Sequence, residues 1–146
     1  MEQPTNLDRF IKAQENIYKE ALSEIRAGRK RSHWMWYIFP QLAGLGFSET
    51  SKYYAIKDLP EAEAYASHPV LGNRLIEICT TLLGLGENNA NRIFGSPDDM
   101  KLKSSMTLFS SLPKADPVFG QVLDKFYEGS KDQRTLELLK KGSSHT

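Results

Sequence analysis

The residues best equipped for chemistry are three carboxylates and a group of rings. Glu49 follows a glycine loop, and Asp98 and Asp99 open a helix further on. Trp34, Trp36 and Tyr37 lie shortly before that loop. A carboxylate beside an aromatic platform suits sugar or nucleoside chemistry. The carboxylate stabilises an oxocarbenium-like centre or orients water, while a ring stacks on the base. Arg31, Arg74 and Lys103, together with helix N-termini, would hold phosphate. His33, Gly44, Gly46 and Ser48 complete the candidate ligand contacts. A purely structural account competes with this one. Glu49, Asp98 and Asp99 all stand where capping and the helix dipole favour an acid, and aromatic clusters are commonly core. Other chemistries lack their signatures. His33, His68 and His145 have no ligand spacing and there is no HExxH or CxxC, so no metal is expected, and no cofactor. GLGFSE matches neither phosphate-loop pattern, and no local serine or cysteine nucleophile motif is present.

These groups depend on the elements that carry them. The stretch 28–49, GRKRSHWMWYIFPQLAGLGFSE, concentrates a basic run, both tryptophans, a proline and three glycines. Its rings would project to several faces of a helix, so the segment is expected to sit deep, with His33 and Trp34 buried and Trp36 partly so. Pro40 breaks the pattern, and Gly44 and Gly46 permit close backbone approach. Before it, apolar residues from Leu7 to Ile25 recur near a 3.6 period, predicting one helix capped by Asn6 and ended by Gly28. After it, Ser48 caps a helix over 49–57, and Pro60 starts another that stops before His68-Pro69. A longer helix covers 70–83, and a short one 89–94. Ser96-Pro97 and Asp116-Pro117 start two more. Asp132 caps the last, over 133–141.

No stretch alternates as a strand would, and no repeat period is visible. The expected fold is mainly α: a single compact domain of about seven to eight helices in an irregular orthogonal bundle. Residues 1–5 read as a flexible leader, 6–141 as the domain and 142–146 as a flexible tail. A length of 146 residues supports one core. A net charge of +1 argues against nucleic acid as a partner. No apolar run reaches membrane-spanning length and no secretory leader is visible, so no membrane partner is expected. The single Cys79 fits a reducing, cytoplasmic setting.

The lines LDRFIKAQENIYKEALSEIRAGRKRSHWMWYIFPQLAGLG, SETSKYYAI, EAEAYASHPVLGNRL and IFGSPDDMKLKSSMTLF resemble the domain of unknown function numbered eighteen-ten, whose members are sometimes labelled calpastatin. That resemblance implies a small helical domain and brings no reaction with it. The order Phe39-Pro40, glycine loop, Ser48-Glu49, Tyr53 or Tyr54, Ala55, Gly72, Arg74, Asp98 or Asp99, Lys103, Met106 and Phe109 is similar to the NADAR family, with Thr50 and Met100 departing from it. NADAR proteins are associated with ADP-ribose and NAD metabolism and include N-glycosidases. The similarity implies hydrolysis of the base–ribose bond of a phosphoribosyl or ADP-ribosyl compound, with Glu49 as the matching acid. The alternative is a non-catalytic module binding a small nucleotide-like ligand or a protein segment. The sequence names no protein partner.

Overall fold

A computed structural model describes residues 7–143, which form ten helices. In chain order they are α1 (Asp8–Gln14), α2 (Tyr18–Arg26), α3 (Met35–Ile38), α4 (Glu49–Tyr53), α5 (Leu59–Ser67), α6 (Leu71–Leu83), α7 (Ala90–Phe94), α8 (Asp98–Ser110), α9 (Pro117–Tyr127) and α10 (Gln133–Ser143). The all-α class expected from the sequence holds. Among the described residues no strand forms, and a single parallel bridge joins Leu42 to Ile56.

The helix number exceeds the expected seven to eight because the first amphipathic run is two helices, not one, and because Met35–Ile38 forms a short helix of its own. It breaks between Gln14 and Tyr18. Gln14 turns inward there and is buried, its amide donating to the Tyr37 carbonyl at 2.7 Å and the Tyr65 hydroxyl at 2.9 Å. The two pieces can then bury separate faces, Phe10 from α1 and Ala21, Leu22 and Ile25 from α2. The Asn6 cap lies outside the described residues, as do the expected leader and the last part of the tail. α10 continues to Ser143, past the expected end at 141.

Most start signals work as read. Ser48, Asp116 and Asp132 each accept a backbone N–H in the first turn of their helix, and Asn89, expected only as the first residue of a helix over 89–94, caps α7 in the same way. Ser96 does not. α8 starts one residue later than that reading, after Pro97, without a side-chain cap. α8 is the centre of the molecule, packed against α5, α7, α9 and α10, while α6 packs against α2, α5 and α9. From Ser104 to Phe109 every side chain of α8 is buried. This explains why its sequence shows no apolar stripe. Ser104 and Thr107 remain compatible with burial because their hydroxyls donate to the carbonyls of Met100 and Lys103, four residues back. Two aromatic runs fill the core. One is Phe10–Tyr65–Phe109–Phe119, with ring centroids 5.1–5.6 Å apart. The other is the triangle of Trp34, Phe39 and Phe94.

Candidate functional site

The stretch 28–56 builds one wall of a cleft, and its construction begins at Glu24 on α2. Gly28 ends α2 with φ +83°, and the chain folds back over the helix end. The Glu24 carboxylate accepts from the N–H groups of Arg31 and Ser32, from the Ser32 hydroxyl, and from the Trp34 indole at 2.9 Å. Burial alone would raise this carboxyl. The hydrogen bonds from Ser32, Arg31 and Trp34 outweigh it and lower the group from 4.5 to about 2. Trp34 is thereby pinned in the core at 0% exposure. Its neighbour His33 is exposed, contrary to the burial expected from the aromatic density around it. The turn ahead of α3 sends only Trp34 inward, so the imidazole faces out.

Beyond α3 the chain forms a closed loop. The Ala43 N–H donates to the Ile56 carbonyl and the Ile56 N–H to the Gln41 carbonyl, both at 2.8 Å. Leu42 and Ile56 are buried at this neck. Gly44 has φ +102°, which a side chain would strain. At Gly46 a Cβ would lie 2.5 Å from Ser51 Oγ, so this glycine lets the loop close against α4. Arg9 holds the returning limb of the loop. Its Nε donates to the Tyr53 carbonyl and its Nη2 to the Ala55 carbonyl, both at 2.8 Å, and Nη2 also meets Glu61 at 3.3 Å. Glu61 in turn accepts the Lys57 N–H at 2.7 Å. Both charges are buried.

Two adjoining cavities open on this loop. One, of about 140 Å³, lies among Trp36, Gln41, Gly44, Gly46, Lys52 and Tyr54. The other, of about 250 Å³, lies between the loop and α8, among Trp36, Leu45, Met100, Lys101, Ser104 and Asp132. Trp36, Gln41, Gly46 and Ser51 line both, which makes them a single cleft with the half-buried Trp36 at its middle. The Lys101 ammonium stands 4.1 Å from the Trp36 ring centroid and 3.2 Å from Asp98. Burial, with Tyr53 beside it, raises the Tyr54 phenol above its ordinary value, so Tyr54 is a protonated donor at neutral pH.

Of the residues expected from the sequence, the structure gathers Trp36, Gly44 and Gly46 in the cleft wall. Ser48 is one turn away and caps α4, accepting the Ser51 N–H at 3.1 Å. Glu49 is exposed and does not line either cavity. Asp98 pairs with Lys30 at 2.9 Å as well as with Lys101. Asp99 accepts the Met100 N–H at 2.9 Å and the Asn91 amide at 3.3 Å. Trp34 is sealed in the core, and Tyr37 packs on Tyr54, ring centroids 5.1 Å apart. Arg31 and His33 are exposed. Arg74 belongs to a separate groove beside Tyr18 and Glu77, and Lys103 lies over the Tyr127 ring. Sequence reasoning passed over Gln41, Lys52, Tyr54, Lys101 and Asp132 as cleft residues, and Arg9, Glu24 and Glu61 as its supports. Lys101 carried the one usable signal, standing in DDMKLK beside the acids that were singled out. Among the described residues no three His, Cys, Asp or Glu side chains converge as a metal site requires. No helix there is long and apolar enough to cross a membrane.

The chain belongs to the family described as "Protein of unknown function (DUF1810)", which matches residues 4–139. A solved structure, that of the conserved hypothetical protein Rv1873 from Mycobacterium tuberculosis, is 46% identical to it. The two superpose with a TM-score of 0.92, over 94% of this chain and 99% of that one. No curated protein matches the chain.

Proposed function

We propose that the protein binds a small nucleotide-like ligand in the Trp36 cleft, and that hydrolysis of a base–ribose bond is the reaction to expect of that ligand. The observation that carries the binding reading is the pairing of ring and cation. Trp36 lines both cavities, and the Lys101 ammonium stands 4.1 Å from its ring centroid. Such a platform takes a flat base on the ring and an anionic group on the lysine. Lys52 adds a second cation on the loop side. Few polar groups in a largely apolar hollow are the usual make-up of a ligand site.

Of the three carboxylates expected from the sequence, the one that remains available for hydrolysis is Glu49. Ser48 already caps α4, and Glu49 shares a helical face with the cleft residue Lys52, three positions on. Asp98 and Asp99 have partners for their oxygens and serve chiefly to place Lys101 and the start of α8. A second reading, a non-catalytic binding module, draws support from Glu49 standing outside the cavity lining. A reducing, cytoplasmic setting accords with the buried free thiol of Cys79, which burial raises further above its ordinary value.

Tryptophan fluorescence tests binding directly. Trp34 is sealed at 0% exposure, so a ligand-dependent change reports Trp36, and Trp36→Phe should abolish it. Release of free base from phosphoribosyl and ADP-ribosylated substrates tests the reaction. There Glu49→Gln should lower turnover by about a hundredfold or more while leaving thermal stability near normal. Equal backgrounds for both proteins across that panel reject hydrolysis and leave the binding module. Silence of Trp36 toward AMP, ADP-ribose and ribose phosphate rejects both.

A further inference from the structure

Asp132 carries more acceptor capacity than its place in the fold uses. It is the residue before α10, and a helix cap needs one oxygen. Its Oδ2 takes both bonds from Thr135, the N–H at 2.9 Å and the hydroxyl at 2.5 Å. Its own N–H donates to Thr107 Oγ1 on α8 at 2.9 Å. Thr107 and Thr135 are both fully buried, so the backbone and one side of the carboxylate are fixed to two helices. Oδ1 has no partner among the described residues. Asp132 lines the cavity shared with Trp36, Lys101 and Ser104, and of the described residues lining either cavity it alone is acidic.

We infer that Asp132 is the specificity residue of the cleft, its Oδ1 accepting a hydroxyl of the ligand's sugar. This rests on the ligand-binding reading given above. A carboxylate only accepts hydrogen bonds at neutral pH, and a hydroxyl donor gives it a charge-assisted bond that a deoxy position cannot. The same cavity offers a ring for the apolar face of the ligand and an ammonium for its anion. A ligand with base, hydroxylated sugar and phosphate meets each of these groups with the matching chemistry. Capping alone explains Oδ2 and leaves Oδ1 open to solvent and to a ligand. It also does not call for a carboxylate, since serine or asparagine caps as well.

The test compares AMP with its 2′,3′-dideoxy analogue, read by Trp36 fluorescence on the intact chain. Wild type should bind AMP about tenfold tighter than the dideoxy nucleotide, as expected when a hydrogen bond to a charged group is lost. In Asp132→Ser, which keeps a capping oxygen, that ratio should fall to about one, through weaker AMP binding alone. Asp132→Asn, nearly isosteric, serves if the serine variant unfolds, and should reduce the ratio several-fold. A residue acting only as a cap would lower thermal stability and leave the ratio unchanged, which overturns the inference. Equal binding of the two nucleotides by wild type also overturns it, with the cleft reading intact. Binding of neither nucleotide overturns the inference together with the cleft reading for this ligand class.

Discussion

At position 24 one carboxylate accepts from two backbone N–H groups, a hydroxyl and an indole, and so shapes the whole turn between α2 and α3. The consequence for pH follows from the direction of its shift. A carboxyl lowered from 4.5 to about 2 stabilises the fold fully above its unfolded value. That contribution fades as pH falls through the window from 4.5 to 2. Because the group is partly exposed, its worth at neutral pH is discounted to about 2 kcal/mol. Glu24→Gln should therefore lower the melting temperature at pH 7 and flatten the acid limb of a stability profile between those two values. A variant whose acid limb matches wild type would show that Glu24 titrates alike folded and unfolded. Its sequence context gave no hint of this role, because the acceptors of a turn are set by how the chain folds back. Trp34 was legible as core from the ring density around it. His33 was not legible as exposed, since adjacent residues in a turn part company by a rotation that no periodicity encodes.

The helices themselves were readable wherever their start is local chemistry. Asp116-Pro117 and Ser48 need only their own first turns to act, and both act. Boundaries decided from outside were not readable. Gln14 is drawn inward by Tyr37 and Tyr65, from two other parts of the chain, and the first helix breaks beside it. The end of α6 is held from α9, whose Lys125 ammonium donates to the Leu82, Leu83 and Leu85 carbonyls. Gly72 shows the same dependence at close quarters. A Cβ there would lie 2.1 Å from the Ala66 carbonyl oxygen, a backbone atom of α5 that cannot swing aside. Gly72→Ala should force α5 and α6 apart at a cost of about 1–3 kcal/mol, the usual range for overpacking. Urea denaturation measures it. A loss no larger than a few tenths would mean that the α5–α6 corner yields freely.

Across the whole molecule, the sequence sufficed for the all-α class and for the glycine loop. It did not reveal which residues share the cleft, because Trp36, Lys101 and Asp132 come from three separate parts of the chain. The buried pair of Arg9 and Glu61 links such parts. Arg9 leaves α1 to hold the Tyr53 and Ala55 carbonyls, and Glu61 on α5 holds the Lys57 N–H. Tyr54 and Ala55 line the cleft, so this pair ties the ligand wall to the rest of the fold. A buried charge left without its partner is costly, more so than losing both. Arg9→Met should thus destabilise the protein by about 3–5 kcal/mol and weaken ligand binding at Trp36, because two loop carbonyls lose their donor along with Glu61. Glu61→Gln should cost less, as the amide oxygen can still accept the Lys57 N–H. Combining Arg9→Met with Glu61→Gln should cost clearly less than the sum of the two, since the second change removes the stranded charge. A denaturant double-mutant cycle reads this coupling. Strict additivity would mean that Glu61 finds solvent once Arg9 is gone, and that the segment under the cleft is held by Arg9 through its carbonyl contacts alone.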